Sequence, residues 1–242
     1  MRCDKKFSLN SIMEYFKKIV IILLLIIGFY TIYHLGQIIS PYEVEFKSGF
    51  ISDPKLFNEP HIVRNFISEE DCQKIVSHSE DKLFDSEIVG GSHKNIRNSM
   101  QCWISKDDPI VKKIFDKACL KFNVEPDTAE SLQVVRYFPN QYYNEHHDSC
   151  CESDDSCKEF VKRGGQRKLT VLIYLNNKFS GGETNFPNLR KKFKPNPGDA
   201  LIFYPLDKNL SKCHELSLHA GLPVKSGEKW IANLWFREGK FE

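Results

Sequence analysis

The second half of the chain contains a series of short apolar segments, and these most constrain the fold. They are rich in β-branched and aromatic residues, are separated by Gly, Pro and Asn, and cover residues 131–138, 168–175, 200–204 and 229–236. Segments of this length and composition are typical of β-strands. Many such strands in succession predict an antiparallel β-sandwich.

Two helices are predicted before these strands. Ser68 is expected to cap the first, because Asp71 follows it by three residues, and Asp108 with Pro109 marks the start of the second. The apolar residues at helical spacing are Ile75, Val76 and Leu83 in the first helix and Val111, Ile114, Phe115, Ala118 and Phe122 in the second. We expect both helices to pack against one side of the sandwich, which gives an α+β fold.

A histidine and a carboxylate follow the first predicted strand, at His146 and Asp148. In an extended strand, side chains two residues apart project to the same side. With His219 as a third ligand, they would form the set of two histidines and one carboxylate that holds iron in non-haem oxygenases. The pair alone is weak evidence, since the same spacing occurs by chance on surface strands.

The sequence resembles the prolyl 4-hydroxylase family of Fe(II)- and 2-oxoglutarate-dependent dioxygenases. The matching blocks occur in the family's order at residues 97–103, 137–148, 167–177, 181–187, 197–204 and 218–236, between roughly residues 62 and 237. This resemblance implies that the strands form a double-stranded β-helix, or jelly-roll. It also implies that His146, Asp148 and His219 are the Fe(2+) ligands.

The resemblance assigns the cosubstrate pocket as well. Lys229 would bind the outer carboxylate of 2-oxoglutarate, and Tyr137 and Thr184 would add hydrogen bonds. Strand alternation alone would equally allow Lys229 to face solvent, although a lysine buried in a jelly-roll needs an anionic partner. Related lysyl hydroxylases use arginine for this carboxylate, so the lysine favours proline as the substrate residue.

The peptide groove is expected to be shaped by residues at five family positions. They are Arg97, Ser99, Tyr143, Arg167 and Trp235. The chain departs from the family at Arg237, where relatives often have histidine. His147 and Glu145 are expected to point away from the metal, toward the opposite face of their strand.

The implied reaction is the hydroxylation of peptidyl proline at C4. It would consume O2 and 2-oxoglutarate, release succinate and CO2, and use L-ascorbate to keep the iron reduced. A proline-rich or collagen-like peptide is the expected substrate, because a polyproline helix exposes its rings and has no internal hydrogen bonds to break. Three alternatives stay open: a 2-oxoglutarate oxygenase acting on another residue such as lysine, a zinc hydrolase, and a non-catalytic membrane-tethered binding protein.

The N-terminal segment predicts a membrane anchor. Basic residues outnumber acidic ones in residues 1–18, an apolar run covers 19–39, and a Pro-containing stalk covers 40–60. The run is long enough to span a bilayer, and its flanking charges place residues 1–18 in the cytosol. The oxygenase domain, residues 61–242, would then lie in a lumen like that of the endoplasmic reticulum, or across a host or virion membrane if the chain is viral. A cleaved signal peptide is the alternative.

All of the eight cysteines except Cys3 follow the apolar run. In an oxidising lumen some of them should form disulfides, although their spacing does not give the pairing. A zinc site at Cys150, Cys151 and Cys157 is the alternative. Asn209 begins a glycosylation sequon that such a compartment could use.

The charge of the chain argues against nucleic-acid binding. The formal net charge is only +2, so no strong basic field is present. The oligomeric state cannot be deduced from these features.

Overall fold

The computed structural model describes residues 53–87, 95–151, 155–210 and 212–242, together with helical positions 13, 14, 17, 18, 20, 23 and 24. The chain divides into two compact units, Met1–Gly49 and Phe50–Glu242. Most of the predicted anchor at 19–39 and most of the stalk at 40–60 lie outside the described residues. Among the residues that are described, no helix has both the length and the apolar character needed to span a membrane.

The second unit is built on a sheet of seven strands. Their order across the sheet is β1–β10–β6–β13–β4–β3–β2, and each neighbouring pair is antiparallel. The strands are β1 (His61–Val63), β2 (Phe84–Asp85), β3 (Met100–Ile104), β4 (Leu132–Tyr137), β6 (Arg167–Tyr174), β10 (Ala200–Phe203) and β13 (Lys229–Arg237). The four segments predicted from sequence correspond to β4, β6, β10 and β13, which are the central strands.

Smaller sheets complete the β structure. One has the order β5–β11–β8–β9 and the other pairs β12 with β7, again with antiparallel neighbours. Their strands are β5 (Tyr143–His146), β7 (Phe179–Gly181), β8 (Thr184–Phe186), β9 (Lys191–Phe193), β11 (His219–Gly221) and β12 (Val224–Gly227). Antiparallel sheets with added helices are consistent with a jelly-roll oxygenase fold.

Three helices of the second unit are described: α1 (Glu69–Ser79), α2 (Pro109–Phe122) and α3 (Asp155–Lys162). The predicted caps are confirmed, because Ser68 Oγ accepts from the Asp71 N–H at 3.0 Å and Asp108 Oδ1 accepts from the Ile110 N–H at 3.0 Å. Leu83 is not part of the first helix, which ends at Ser79 and is followed by a short 3-10 turn.

Two apolar clusters flank the large sheet. The first packs the buried faces of α1 and α2 against the sheet and includes Ile75, Ile114 and Val134. The second, on the opposite face, includes Leu172, Phe186 and Phe203 and joins the large sheet to the strands of the four-stranded sheet. The helices therefore buttress one face, as predicted, and the other face is left to form a site between sheets.

Among the described residues, four cysteines form two disulfides, Cys150–Cys157 and Cys151–Cys213. The zinc alternative at Cys150, Cys151 and Cys157 is therefore wrong, since all three sulfurs are already bonded to another sulfur. Cys72, Cys102 and Cys119 are free thiols.

Candidate metal centre and peptide groove

The three predicted metal ligands lie together. His146 is the last residue of β5, and His219, the first residue of β11, is its direct partner in the antiparallel register. Asp148 Oδ1 lies 3.8 Å from the Nε2 atom of each histidine. The predicted convergence of His146 and Asp148 is confirmed, although Asp148 lies in a bend beyond the end of β5 and not on the strand itself.

Hydrogen bonds orient each candidate ligand. The Nδ1 atoms of His146 and His219 lie 2.7 Å and 3.0 Å from the carbonyl oxygens of Asn144 and Ser217, so each ring presents Nε2 to the centre. Asp148 Oδ2 accepts from two donors, which leaves Oδ1 for the centre. Those donors are Thr170 Oγ1 at 2.7 Å and Trp235 Nε1 at 3.0 Å.

The electrostatics favour the ligand forms of these groups. Desolvation, reinforced by the neighbouring His219, lowers the pKa of His146 well below its usual range, which keeps the imidazole neutral. Burial alone would raise the pKa of Asp148, but His219, His146 and Arg167 outweigh it and hold the pKa at about 2. A neutral imidazole and an ionised carboxylate are the forms that bind a metal.

The geometry fits an iron site. One ligand atom from each of His146, Asp148 and His219 lies within 4.8 Å of the others. Two imidazole nitrogens and one carboxylate oxygen on one face of a metal are the ligand set of non-haem Fe(II) oxygenases, and they leave positions open for other ligands.

A cationic pocket adjoins this cluster. Lys229, the first residue of β13, is only 2% exposed, and its Nζ lies 5.3 Å from the ring centres of Tyr137 and Tyr174. Within the described part of the chain, no carboxylate lies at ion-pair distance from this ammonium. Burial lowers the pKa of Lys229 to about 7, against the opposing effect of Glu183. Tyr137, Thr184 and Lys229 line the same cavity as the three metal-ligand candidates.

Tyr174 is a pocket residue that the sequence reasoning missed. Its hydroxyl lies 2.7 Å from Thr184 Oγ1 and donates to the carbonyl of Phe193 at 3.2 Å. Tyr174 thereby fixes one of the predicted cosubstrate contacts. Period-two alternation along β6, which puts Thr170, Leu172 and Tyr174 on one face, was the signal that could have found it.

A larger cavity of about 820 Å³ also adjoins the cluster, and four of the five predicted groove residues line it. They are Arg97, Tyr143, Arg167 and Trp235. The Tyr143 ring stacks on His146, with ring centres 3.5 Å apart, and the Arg97 guanidinium lies 4.8 Å from the Tyr143 ring centre. Ser99, the fifth, is 1% exposed and accepts from Arg97 Nε at 2.9 Å, so it supports the groove from beneath.

A buried ionic cluster forms one wall of this groove. Arg167 donates to both carboxylate oxygens of Glu130, at 2.6 Å and 2.8 Å, and Arg237 Nε donates to the same carboxylate at 2.8 Å. Arg167 also stacks on Trp235, 3.6 Å from the ring centre. Arg237, the departure from the family pattern, is thus part of the groove wall. Glu130, for which sequence predicted no role, joins the two arginines.

The two residues expected to avoid the metal do so. His147 Nδ1 lies 3.1 Å from Ser217 Oγ, and Glu145 is exposed at the rim of the groove. Neither belongs to the cluster of candidate ligands.

Comparisons with known proteins agree with this geometry. The family model described as the 2OG-Fe(II) oxygenase superfamily matches residues 132–237. A protein of Acanthamoeba polyphaga mimivirus, provisionally named a prolyl 4-hydroxylase, is 62% identical over 197 residues, which cover 81% of each chain. Prolyl 4-hydroxylase 2 of Arabidopsis thaliana is 31% identical over 86% of this chain and 74% of its own length.

A solved structure gives the same result. A viral collagen prolyl hydroxylase from Paramecium bursaria Chlorella virus-1, in complex with 2OG, matches 73% of this chain and 94% of its own, with 34% identity and a TM-score of 0.59. Fold and site together define a 2-oxoglutarate-dependent dioxygenase of the 2OG-Fe(II) class. The chain belongs to the prolyl 4-hydroxylase family within that class. The His–Asp–His cluster and this membership imply Fe(2+) and 2-oxoglutarate as the metal and cosubstrate.

Proposed function

We propose that this protein hydroxylates peptidyl proline at C4, on a proline-rich or collagen-like polypeptide. The observation that carries the proposal is the meeting of His146, Asp148 and His219 between a buried lysine pocket and an open groove. A small dicarboxylate in the pocket and a polypeptide in the groove can both reach one metal in such an arrangement.

In this proposal His146, Asp148 and His219 hold Fe(2+). Iron bound there supplies the oxidation that couples decarboxylation of 2-oxoglutarate to hydroxylation of the substrate. The fixed Nδ1 contacts and the Thr170 and Trp235 hydrogen bonds keep the three ligand atoms converged, so little reorganisation is needed on metal binding.

Lys229 binds the outer carboxylate of 2-oxoglutarate. A buried ammonium without an anionic partner is costly, and a dicarboxylate removes that cost while fixing its own position. Thr184, held by Tyr174, and Tyr137 add hydrogen bonds to the same end of the molecule. Apolar residues of the pocket such as Leu172 and Ile231 exclude water from it.

The groove positions the substrate proline beside the metal. Tyr143 and Trp235 offer aromatic faces for proline rings, and Arg97 and Arg167 offer donors for the free carbonyls of a polyproline helix. Arg167 is held by Glu130, which Arg237 fixes in turn, so the Arg167 guanidinium reaches the groove in one orientation. Holding the reacting carbon in place is the main contribution of such a groove to rate.

The biological setting is proposed from the sequence pattern. Residues 19–39 anchor the protein as a single-pass type II membrane protein, with residues 1–18 cytosolic, 40–60 a stalk, and the catalytic domain, 61–242, in a lumen or across a viral or host membrane. Two disulfides and an exposed Asn209 suit an oxidising compartment. L-ascorbate is the expected reductant.

Succinate release with proline-rich and collagen-like peptides tests the activity, with mass spectrometry to locate the added oxygen. We expect hydroxyproline to form only with Fe(2+) and 2-oxoglutarate. His146→Ala should lower turnover by at least about a hundredfold, because the loss of even an outer-shell partner of a metal ligand can cost that much. His61→Ala, at the exposed first residue of β1, is the control and should leave turnover unchanged. Turnover that survives His146→Ala would contradict the proposal.

A further inference from the structure

Trp103 is unusually exposed for its position. It lies in the five-residue strand β3, where Gln101, Cys102 and Ile104 are all buried, yet the Trp103 side chain is 41% exposed. A large aromatic side chain stabilises a fold mainly when it is buried, so folding does not account for this exposure. Trp103 and Gln101 both line the groove beside the metal ligands.

Trp103 extends the aromatic wall of the groove away from the metal centre. The ring centres of Trp103 and Trp235 are 6.1 Å apart and the rings are tilted by 44°. Trp235 is fixed, because it donates to Asp148 at 3.0 Å and Arg167 lies 3.6 Å from its ring centre. A chain leaving the metal centre past Trp235 therefore meets Trp103 next.

A ladder of buried amides ends beside Trp103. Asn233 Nδ2 donates to Gln133 Oε1 at 3.0 Å, and Gln133 Nε2 donates to Gln101 Oε1 at 2.6 Å. Gln101 is 3% exposed and lines the groove, and within the described part of the chain its Nε2 has no hydrogen-bond partner. Among the described residues no fully buried polar side-chain atom lacks a partner, so this Nε2 keeps some exposure to the groove, where a peptide carbonyl can accept from it.

We infer that Gln101 and Trp103 form a subsite for a second proline of the substrate, about two residues from the hydroxylated one. The inference rests on the proposed function and specifies its substrate. A polyproline helix rises about 3.1 Å per residue, so two residues span about the Trp235–Trp103 separation. The proline ring packs on the Trp103 indole, and a backbone carbonyl, which that helix leaves free, accepts from Gln101. The enzyme thereby selects substrates with clustered prolines over isolated ones.

The test compares peptides of equal length, each with one target proline. One has no other proline, and the others carry a second proline one, two or three residues away on either side. The readout is the ratio of kcat/KM with the second proline to kcat/KM without it. For the wild type we expect a ratio of about five to ten when the second proline is two residues away on one side. The gain should come from a lower KM for the peptide with the second proline.

Variants separate the subsite from general groove effects. Trp103→Ala should bring the ratio to about one while leaving the KM for 2-oxoglutarate unchanged, and Trp103→Phe should restore part of the ratio. Leu120→Ala, at an exposed position on α2, is the control and should keep the wild-type ratio. A ratio unchanged in Trp103→Ala, or near one in the wild type, would overturn the inference. Hydroxylation of the single-proline peptide reports separately on the proposed function.

Discussion

At the scale of single residues, Lys229 determines the electrostatics of the pocket. Burial lowers its pKa from 10.5 to about 7. The unfolded chain therefore binds more protons than the folded one between about pH 7 and 10.5, and the stability of the cosubstrate-free protein rises with pH across that window. A carboxylate bound to the ammonium reverses the shift, because it favours the charged form. Binding of 2-oxoglutarate is thus expected to take up a proton at neutral to alkaline pH.

This linkage predicts that the affinity for 2-oxoglutarate falls as pH rises from 7 to 9, by up to about tenfold per pH unit. Calorimetry of 2-oxoglutarate binding in buffers of different ionisation enthalpy measures both the affinity and the proton uptake. Lys229→Arg should flatten the dependence, since arginine stays charged over this range. The same substitution at the exposed Lys225 should leave it unchanged. Equal slopes for the wild type and Lys229→Arg would exclude Lys229 as the titrating group.

At the scale of elements, the Cys151–Cys213 disulfide joins the two segments that carry the metal ligands. Cys151 follows Asp148 by three residues, and Cys213 precedes His219 by six. Register pairing of β5 and β11 places the histidines, but Asp148 lies beyond β5. The bond therefore restrains a stretch of chain that has no strand partner at this point. The Cys150–Cys157 bond ties the same stretch to α3.

Loop length predicts unequal effects of removing these bonds. Cys151→Ser/Cys213→Ser opens a separation of 62 residues and is expected to lower the free energy of unfolding by about 4 kcal/mol. Cys150→Ser/Cys157→Ser opens a separation of only 7 and is the matched control, with an expected loss of about 2 kcal/mol. Denaturant titration measures both, and metal titration should show weaker binding in the first variant. A larger loss of stability in the second variant would contradict this account.

At the scale of the whole molecule, one face of the large sheet forms the apolar core and the other face forms the site. One face is covered by α1 and α2 and forms an apolar core that contains no residue of the metal centre. The other face carries the cavity that contains the metal-ligand candidates, so the site lies between sheets whose strands are already fixed by pairing. Sites held on regular elements in this way keep their side chains in place without the substrate.

The proposed membrane anchor at residues 19–39 can be tested on the full-length protein. We expect the full-length protein, produced in eukaryotic cells, to stay in the membrane pellet after an alkaline carbonate wash. Ile26→Arg with Ile27→Arg should release it, because each arginine near the middle of a spanning helix costs about 2.5–3.5 kcal/mol. If the wild-type protein is instead released into the soluble fraction by the wash, the anchor is contradicted and a cleaved signal peptide is favoured.

Local sequence determined those features that depend only on neighbouring residues. Ser68 and Asp108 could be recognised as helix caps because a cap hydrogen bond reaches only two or three residues along the chain. The central strands β4, β6, β10 and β13 could be recognised because each is a continuous apolar run. The metal ligands and Lys229 were predicted from the resemblance to the family. No local pattern could have grouped them, because the two segments that carry them are more than 70 residues apart in the sequence.

Only the tertiary structure decided the contacts between distant segments. The disulfide pairing, the Glu130–Arg167–Arg237 cluster and the amide ladder that ends at Gln101 each depend on which strands become neighbours. Asp148 shows the difference most clearly: the spacing from His146 predicted that the two side chains meet, which they do, but Asp148 lies in a bend beyond the strand. Spacing along a chain fixes direction only while the backbone stays regular, and beyond β5 it is the packing of the fold that sets direction.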